Sequence, residues 1–196
     1  DENYHGTITV SVVASDGQGS GSGSFVLTVI PVNDAPLAGA SSAETNEDTS
    51  VNIELSGSDV DGDDLTFSVA NNPSHGTVSI VGLIATYAPE SNYNGNDSFT
   101  FNVSDGELTN GSTVTITMIP VNDAPSLDDL ADASISEDNS YVLELSGTDV
   151  DGDELTFLAS VDGNGSISID GSILTVVPDE NYHGTITVSV VASDGQ

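Results

Sequence analysis

The sequence predicts an all-β fold, a tandem of β-sandwiches with about seven strands each, arranged as a rod. Three observations lead there. Apolar and polar residues alternate with the period of two that sets the faces of a strand, and no stretch keeps a helical period. Gly, Asn, Asp and Pro punctuate the chain between these runs. The chain also repeats itself: residues 1–18 are identical to 179–196, an offset of 178, and a looser likeness recurs at half that distance.

The looser likeness sets the segments. Asn92-Tyr93-Asn94-Gly95 lies 89 residues from Asn3-Tyr4-His5-Gly6 and from Asn181-Tyr182-His183-Gly184, and Ser104-Asp105-Gly106 matches Ser15-Asp16-Gly17 and Ser193-Asp194-Gly195. Identity at two periods with only similarity at one indicates a two-domain unit that is itself repeated. Residues 1–32 therefore read as the C-terminal part of a preceding repeat, 33–121 as a complete repeat, and 122–196 as a repeat lacking its last strand. The counterpart of that strand is Gly23–Val29, to be supplied by sequence outside 1–196 or by a neighbouring chain. Within the complete repeat, Val51, Ile53 and Leu55 share one face, with Asn52 and Glu54 opposite. Leu65, Phe67 and Val69 repeat the pattern, as do Val78 with Ile80, Phe99 with Phe101 and Val103, and Val114 with Ile116. Pro73-Ser74-His75-Gly76 and Asn92-Tyr93-Asn94-Gly95 are turns by composition.

The joints between repeats are marked by Pro31-Val32-Asn33-Asp34-Ala35-Pro36, which returns unchanged as Pro120-Val121-Asn122-Asp123-Ala124-Pro125. Proline on both sides restricts the backbone and removes two amide donors, so neither a helix nor a central strand runs through. Between the prolines stand an amide oxygen and a carboxylate, both hard ligands for a cation.

Composition narrows the function. The chain holds 32 acidic residues and no lysine or arginine, a formal charge of −32. Such a balance excludes nucleic acid and anionic membrane as partners. It also removes every Lys or Arg salt bridge, so clustered carboxylates must turn to hydrogen bonds, water or metal ions. Two of them about 5 Å apart repel by about 0.8 kcal/mol even at the dielectric of water. No cysteine is present to form a disulfide, and no apolar run reaches the length of a membrane span.

The most charged loop is Asp59-Val60-Asp61-Gly62-Asp63-Asp64, matched by Asp149-Val150-Asp151-Gly152-Asp153-Glu154. Alternate carboxylates in an extended stretch point to one side, and glycine permits the bend after them. That suits calcium, which takes six to eight oxygens. The loop is not an EF-hand, since its glycine comes early and the twelfth position from Asp59 is Ala70.

Glu47-Asp48 before a strand, Asp59-x-Asp61, Val103-Ser104-Asp105-Gly106 and Val121-Asn122-Asp123-Ala124-Pro125 fall in the order of cadherin repeats. Over essentially the full chain, the sequence resembles the cadherin-like tandem repeats of large bacterial surface adhesins, of the RTX, type I secreted kind. The resemblance implies Greek-key sandwiches, calcium where domains meet, an extracellular place on the bacterial surface, and no catalysis. It assigns to the joint at Pro120–Pro125 the residues Glu47 and Glu90 from upstream, Asn122 and Asp123 from the linker, and Asp149, Asp151 and Asp194 from downstream. To the earlier joint it assigns Asn33, Asp34, Asp59, Asp61 and Asp105, with Asp1 as the counterpart of Glu90. The linker departs from the animal pattern, with proline in place of an aspartate and one asparagine fewer, which implies fewer than three ions per joint.

The function expected is thus a structural extender of a secreted filamentous adhesin, rigidified by calcium. Its partners are calcium ions and neighbouring repeats. The alternatives are a module for polysaccharide or cell-surface glycan, homophilic cell adhesion, and a strand-exchanged filament subunit. His5 and His183 stand where Asn94 stands in the middle repeat, and His75 lies in a turn, so all three read as turn residues. Tyr4, Tyr93 and Tyr182 share one position, that of a packed corner tyrosine. Asn96, Asn102, Asn110 and Asn164 each open a glycosylation triplet, a pattern frequent by chance in an Asn/Ser-rich chain.

Overall fold

A computed structural model of the chain describes residues 3–196, and every regular element among them is a β-strand. The chain divides into two compact units, one ending at Pro120 and the other running Val121–Gln196. The first opens with a hairpin, β1 (Gly6–Ser15) and β2 (Ser20–Val29). Its register runs from Gly6 opposite Val29 to Ser15 opposite Ser20. The hairpin is a sheet of its own, and Ile8, Val12, Phe25 and Leu27 along it are exposed.

The complete sandwich follows. Its strands are β3 (Leu37–Ala38), β4 (Ser41–Asn46), β5 (Val51–Glu54), β6 (Gly57–Ser58), β7 (Thr66–Asn71), β8 (Gly76–Val81), β9 (Ile84–Pro89), β10 (Gly95–Ser104) and β11 (Thr109–Ile119). One sheet has the order β4-β11-β10-β7 and the other β5-β9-β8, with β3–β6 as a short separate pair. β4 lies parallel to β11; β10 is antiparallel to both of its neighbours. The period of two in the sequence sets which side chains enter. Phe99, Phe101 and Val103 of β10, with Val114, Ile116 and Met118 of β11, meet Ile53, Leu55, Ala85 and Tyr87 in one core. Each of the larger of these side chains contributes about 1.5–3 kcal/mol by leaving water.

The second unit holds β12 (Ser126–Leu127), β13 (Tyr141–Glu144), β14 (Gly147–Thr148), β15 (Thr156–Val161), β16 (Gly165–Asp170), β17 (Ile173–Pro178) and β18 (Val188–Ser193). Its sheets are β13-β17-β16, β15-β18 and β12-β14. Among the described residues β18 is paired on one edge only, by β15. The core is correspondingly smaller, with Leu145, Leu174 and Val176 buried and Val188 and Val190 partly exposed. Residues 131–136, the counterpart of β4, are irregular and exposed. In the first unit β4 takes its ladder from β11 alone; among the described residues of the second unit, 131–136 have no such neighbour to pair their amides.

The corner tyrosines recur with one geometry. Each donates its hydroxyl to the carbonyl three residues on: Tyr4 to Thr7, Tyr93 to Asn96 and Tyr182 to Thr185, at 3.1, 3.2 and 3.1 Å. The glycine between has φ of +133° at Gly6, +128° at Gly95 and +151° at Gly184, and a Cβ on Gly184 would stand 2.7 Å from the Tyr182 hydroxyl. Only glycine allows both the backbone angle and the approach.

One carboxylate is buried in the first unit's sandwich where the pattern calls for an apolar residue. Asp97 faces inward from β10 and is only 9% exposed. The N–H groups of Ser74, His75 and Ser98 donate to it at 3.0, 2.8 and 2.8 Å, and the Tyr87 hydroxyl at 2.9 Å. Burial alone would raise the Asp97 carboxyl; the three N–H groups and the Tyr87 hydroxyl outweigh it and hold it below the usual carboxylate range. Burial first, and Asp97 second, push the Tyr87 hydroxyl up. The second unit has Val176 and Ile186 at these two positions.

Replacing Asp97 by Asn is expected to cost the first unit about 1.5–3 kcal/mol at neutral pH, the worth of hydrogen bonds to a charged group. Because the folded-state carboxyl is depressed, its stabilisation is complete above the unfolded value of about 3.9 and is lost as pH falls through the folded value. Denaturant titrations should therefore show wild type and variant far apart at neutral pH and converging in acid. A gap that stays constant would mean that shape, not charge, sets the difference.

Candidate metal centre

The acidic loops are shaped by their own first aspartate. Asp59 Oδ1 accepts from the N–H of Asp61 at 2.8 Å, Gly62 at 3.1 Å and Asp63 at 3.5 Å. Asp149 Oδ1 does the same with Asp151 at 2.9 Å and Asp153 at 3.2 Å. Asx turns of this kind use one oxygen of the carboxylate. The other oxygen, Oδ2 of both Asp59 and Asp149, is buried with no hydrogen-bond partner among the described residues.

The linker is tied to the loop in the same way in both units. Asp61 Oδ2 accepts from the Asp34 N–H at 2.8 Å, and Asp151 Oδ2 from the Asp123 N–H at 2.8 Å. Asn33 Nδ2 donates to Asp105 Oδ2 at 2.9 Å, and Asn122 Nδ2 to Asp194 Oδ2 at 2.7 Å. Asp105 is held below the usual carboxylate range by the Leu108 N–H first and the Asn33 amide next. Asp194 is lowered chiefly by the Asn122 amide and then by the Gln196 N–H.

Each unit therefore gathers its own linker asparagine and aspartate, its DxD loop and its SDG aspartate at one place. Asn33, Asp34, Asp59, Asp61 and Asp105 meet in the first unit, and Asn122, Asp123, Asp149, Asp151 and Asp194 in the second. Carboxylate oxygens of Asp59, Asp61 and Asp63 lie within 4.8 Å of one another. Asp63 was not singled out by the sequence reading, although its place as the third term of Asp-x-Asp-x-Asp was the signal for it.

Glu47 and Glu90 lie at the other end of the first unit's sandwich. The Glu47 N–H donates to the Ile119 carbonyl at 2.9 Å, beyond the Gly95–Met118 end of the β10–β11 ladder, whereas Asp105 follows its Ser104–Thr109 end. Ten paired residues separate the two, about 30 Å at the rise of an antiparallel strand. Glu47 is buried, 3% exposed. Its neighbour Asp48 accepts from the Asn92 N–H at 3.1 Å, which pins the loop carrying Glu90. The Glu90 carboxylate itself is well exposed, 3.6 Å from His75 Nδ1, and the His75 ring stacks on Tyr93 at 3.8 Å. Asp1 lies outside the described residues.

The donor set fits a hard divalent cation. All donors are oxygens, and two anionic oxygens are buried and unpaired in a chain without a lysine or arginine to answer them. Buried polar atoms left without a hydrogen bond are uncommon, and an ion is one of the standard explanations.

Comparison with known proteins agrees with this architecture. The family model of the bacterial Ig domain matches residues 33–117 and again 122–196. Integrin beta-like protein A of Dictyostelium discoideum is 35% identical over 146 residues, 64% of this chain and 8% of that protein. Chitinase A of Pseudoalteromonas piscicida is 28% identical over 171 residues, 83% of this chain and 20% of that protein. The chain thus spans a fifth or less of the length of these relatives. Mouse protocadherin-24 EC1–3 superposes with a TM-score of 0.52 at 12% identity, over 95% of this chain and 78% of that one. Cadherin domains 1–4 of protocadherin gamma B7 give 0.51 at 16% identity, over 95% and 57%. At such identities the likeness is one of fold alone. With most of its length taken up by two matches to that family, the chain belongs to the bacterial Ig domain family.

Proposed function

We propose that the chain is an extender module of a secreted filamentous adhesin on a bacterial surface, of the RTX, type I secreted kind, stiffened by calcium at its inter-domain joints. One observation carries the reading. In both units the first aspartate of the acidic loop spends one oxygen on shaping the loop and keeps the other buried without a hydrogen bond. An ion there would bind a loop whose Asp61 or Asp151 carboxylate already accepts from the amide of the linker aspartate. A linker already restricted by two prolines would then be fastened to the repeat that follows it. Glu47 and Glu90, at the far end of the complete repeat, are assigned to the joint at Pro120–Pro125.

Electrostatics favours the same assignment. Carboxylates 4.8 Å apart repel by about 0.9 kcal/mol at the dielectric of water and several-fold more near a protein surface. A divalent ion turns this loss into attraction. Extracellular modules bind calcium with dissociation constants of about 10⁻⁴–10⁻³ M, so a tenfold excess adds about 1.4 kcal/mol per ion. No catalytic role is proposed. The second reading, a module for polysaccharide or for homophilic adhesion, rests on the family and on the chitinase relative; a glycan array and calcium-dependent dimerisation test its two forms.

Millimolar calcium is expected to raise the melting temperature by roughly 5–10 °C for each ion bound to a unit of this size, and chelator should reverse it. Small-angle scattering should show a narrower distribution of particle lengths with calcium than with chelator; identical profiles would remove the stiffening role.

Asp59→Asn and Asp149→Asn keep the Oδ1 acceptor and delete the charge. The doubly substituted chain should lose most of the calcium response while its calcium-free stability stays level or rises by about 1 kcal/mol. Calorimetric titration of Glu47→Gln reads the upstream contribution, as fewer ions per chain or weaker affinity.

A further inference from the structure

Asn-Gly stands three times in this chain, at Asn94-Gly95, Asn110-Gly111 and Asn164-Gly165. Glycine has no Cβ to shield its own amide, so the nitrogen that follows such an asparagine is free to attack the side-chain carbonyl. We propose that Asn110-Gly111 is a self-modification site: the folded chain deamidates there ahead of the other two pairs, and the isoaspartate formed loosens the β10–β11 hairpin. No cation takes part, so the inference stands apart from the calcium reading.

The reaction needs only water. The Gly111 nitrogen bonds to Asn110 Cγ and gives up its hydrogen, while the Cγ–Nδ2 bond breaks and ammonia leaves with that hydrogen. A succinimide ring results. Water then opens the ring at one of its carbonyls. Opening at Cγ gives aspartate. Opening at the main-chain carbonyl gives isoaspartate, whose backbone runs through Cβ and Cγ and is one carbon longer.

Geometry selects Asn110. The Gly111 N–H donates to Asn110 Oδ1 at 2.8 Å, so the nucleophile already lies against the amide whose carbon it must reach. Closing the ring also turns the peptide after Asn110 out of the strand, which requires a glycine with room to move. Asn110 and Gly111 are both exposed. β4 pairs with β11 only from Val114 onward, so among the described residues β10 alone ladders this stretch. The other two glycines are half-buried. A Cβ on Gly165 would stand 2.8 Å from the Val177 carbonyl oxygen, and the Asn164 carbonyl accepts from the Asp179 N–H at 3.0 Å. Gly95 holds a φ of +128° inside the corner that the Tyr93 hydroxyl closes on Asn96 at 3.2 Å.

The place in the hairpin gives the product its effect. Ser104 faces Thr109 and Val103 faces Asn110 next to the turn, and Phe99 faces Val114 further along. A carbon added at 110 puts the turn side of β11 out of step with its core side, and register cannot slip without turning side chains over. The turn carries Asp105, whose Oδ2 accepts from Asn33 Nδ2 at 2.9 Å. Ageing at one asparagine therefore reaches the linker through the hairpin. The preceding hairpin has Gly21-Ser22 at the matching positions and stays intact.

The test follows the 196-residue chain through incubation in warm, mildly alkaline buffer, with fragments cut at acidic residues because trypsin finds no site. Mass spectrometry is expected to show Asn110 converting several-fold faster than Asn94 and Asn164, with the isoaspartate labelled by an isoaspartyl methyltransferase. In urea the three rates should draw together, since sequence alone then governs them. Equal rates in the folded chain, or Asn110 behind either of the others, overturn the site. Amide exchange across residues 101–114 should rise several-fold in the aged chain. It should not rise in fresh Asn110→Asp, which adds the charge without the carbon, nor in aged Asn110→Gln. Exchange unchanged by ageing overturns the loosening, as does an equal rise in Asn110→Asp.

Discussion

Every acidic side chain in this molecule folds without a lysine or arginine to meet it. That constraint explains how the loops are built. Asp16, Asp59, Asp105, Asp149 and Asp194 each take backbone N–H groups two to four residues further on. Carboxylates that lack cationic partners become the scaffolding of turns, each shaping its own loop with one oxygen. What remains is a second oxygen with nowhere to go. Where it is exposed, water serves. At Asp59 and Asp149 it is buried, and a cation is the partner whose charge answers it. The amide side chains of Asn33 and Asn122 perform the complementary task, each giving its N–H to the SDG aspartate and bringing the linker to the loop.

The second constraint is the central place of β11. It lies between β10 and β4, and three consequences follow from that position. β4 exists because β11 pairs with it. Val114, Ile116 and Met118 close the core over Phe99 and Phe101. Glu47, which is buried, donates its N–H to the last residue of β11, Ile119. In the second unit, where β18 pairs with β15 alone among the described residues, residues 131–136 are irregular, fewer core side chains are buried, and Glu137 is exposed.

Much of this was legible in the sequence because it depends on short-range rules. The alternation in Phe99, Phe101 and Val103 states which face is buried, and the recurring Asn-Tyr-x-Gly states where a corner with positive φ must lie. The grouping of Asn33, Asp34, Asp59, Asp61 and Asp105 was legible only through likeness to cadherin repeats, since nothing local joins residues 72 apart. Other features escaped for the same reason. Asp97 sits at an inward-facing position of a strand, the parity of its neighbours being the one signal, but two of its four donors, Ser74 and His75, come from more than twenty residues away. The irregular run 131–136 keeps a strand-like alternation at Ala131, Ala133 and Ile135; what it lacks is a neighbour, and a sequence does not display the neighbour.

The alternation of repeat types has its own physical logic. Tandem repeats of identical sequence are prone to exchange elements with the repeat beside them. Here the adjacent repeats differ at the buried pair: Tyr87 with Asp97 in one, Val176 with Ile186 in the next, and Ile8 at the Asp97 position of the preceding hairpin. A strand carrying Asp97 that entered the neighbouring repeat would bury a carboxylate without the Tyr87 hydroxyl, a loss on the order of 1–3 kcal/mol or more for a charged group. A strand carrying Ile8 that entered the middle repeat would strip the N–H groups of Ser74 and His75 of their acceptor. The buried polar pair therefore disfavours exchange between these two repeats, whereas the residues shared by 1–18 and 179–196 carry no such difference. The same network that stabilises one sandwich thus makes its strand carrying Asp97 a poor substitute for the Ile186 segment of the next.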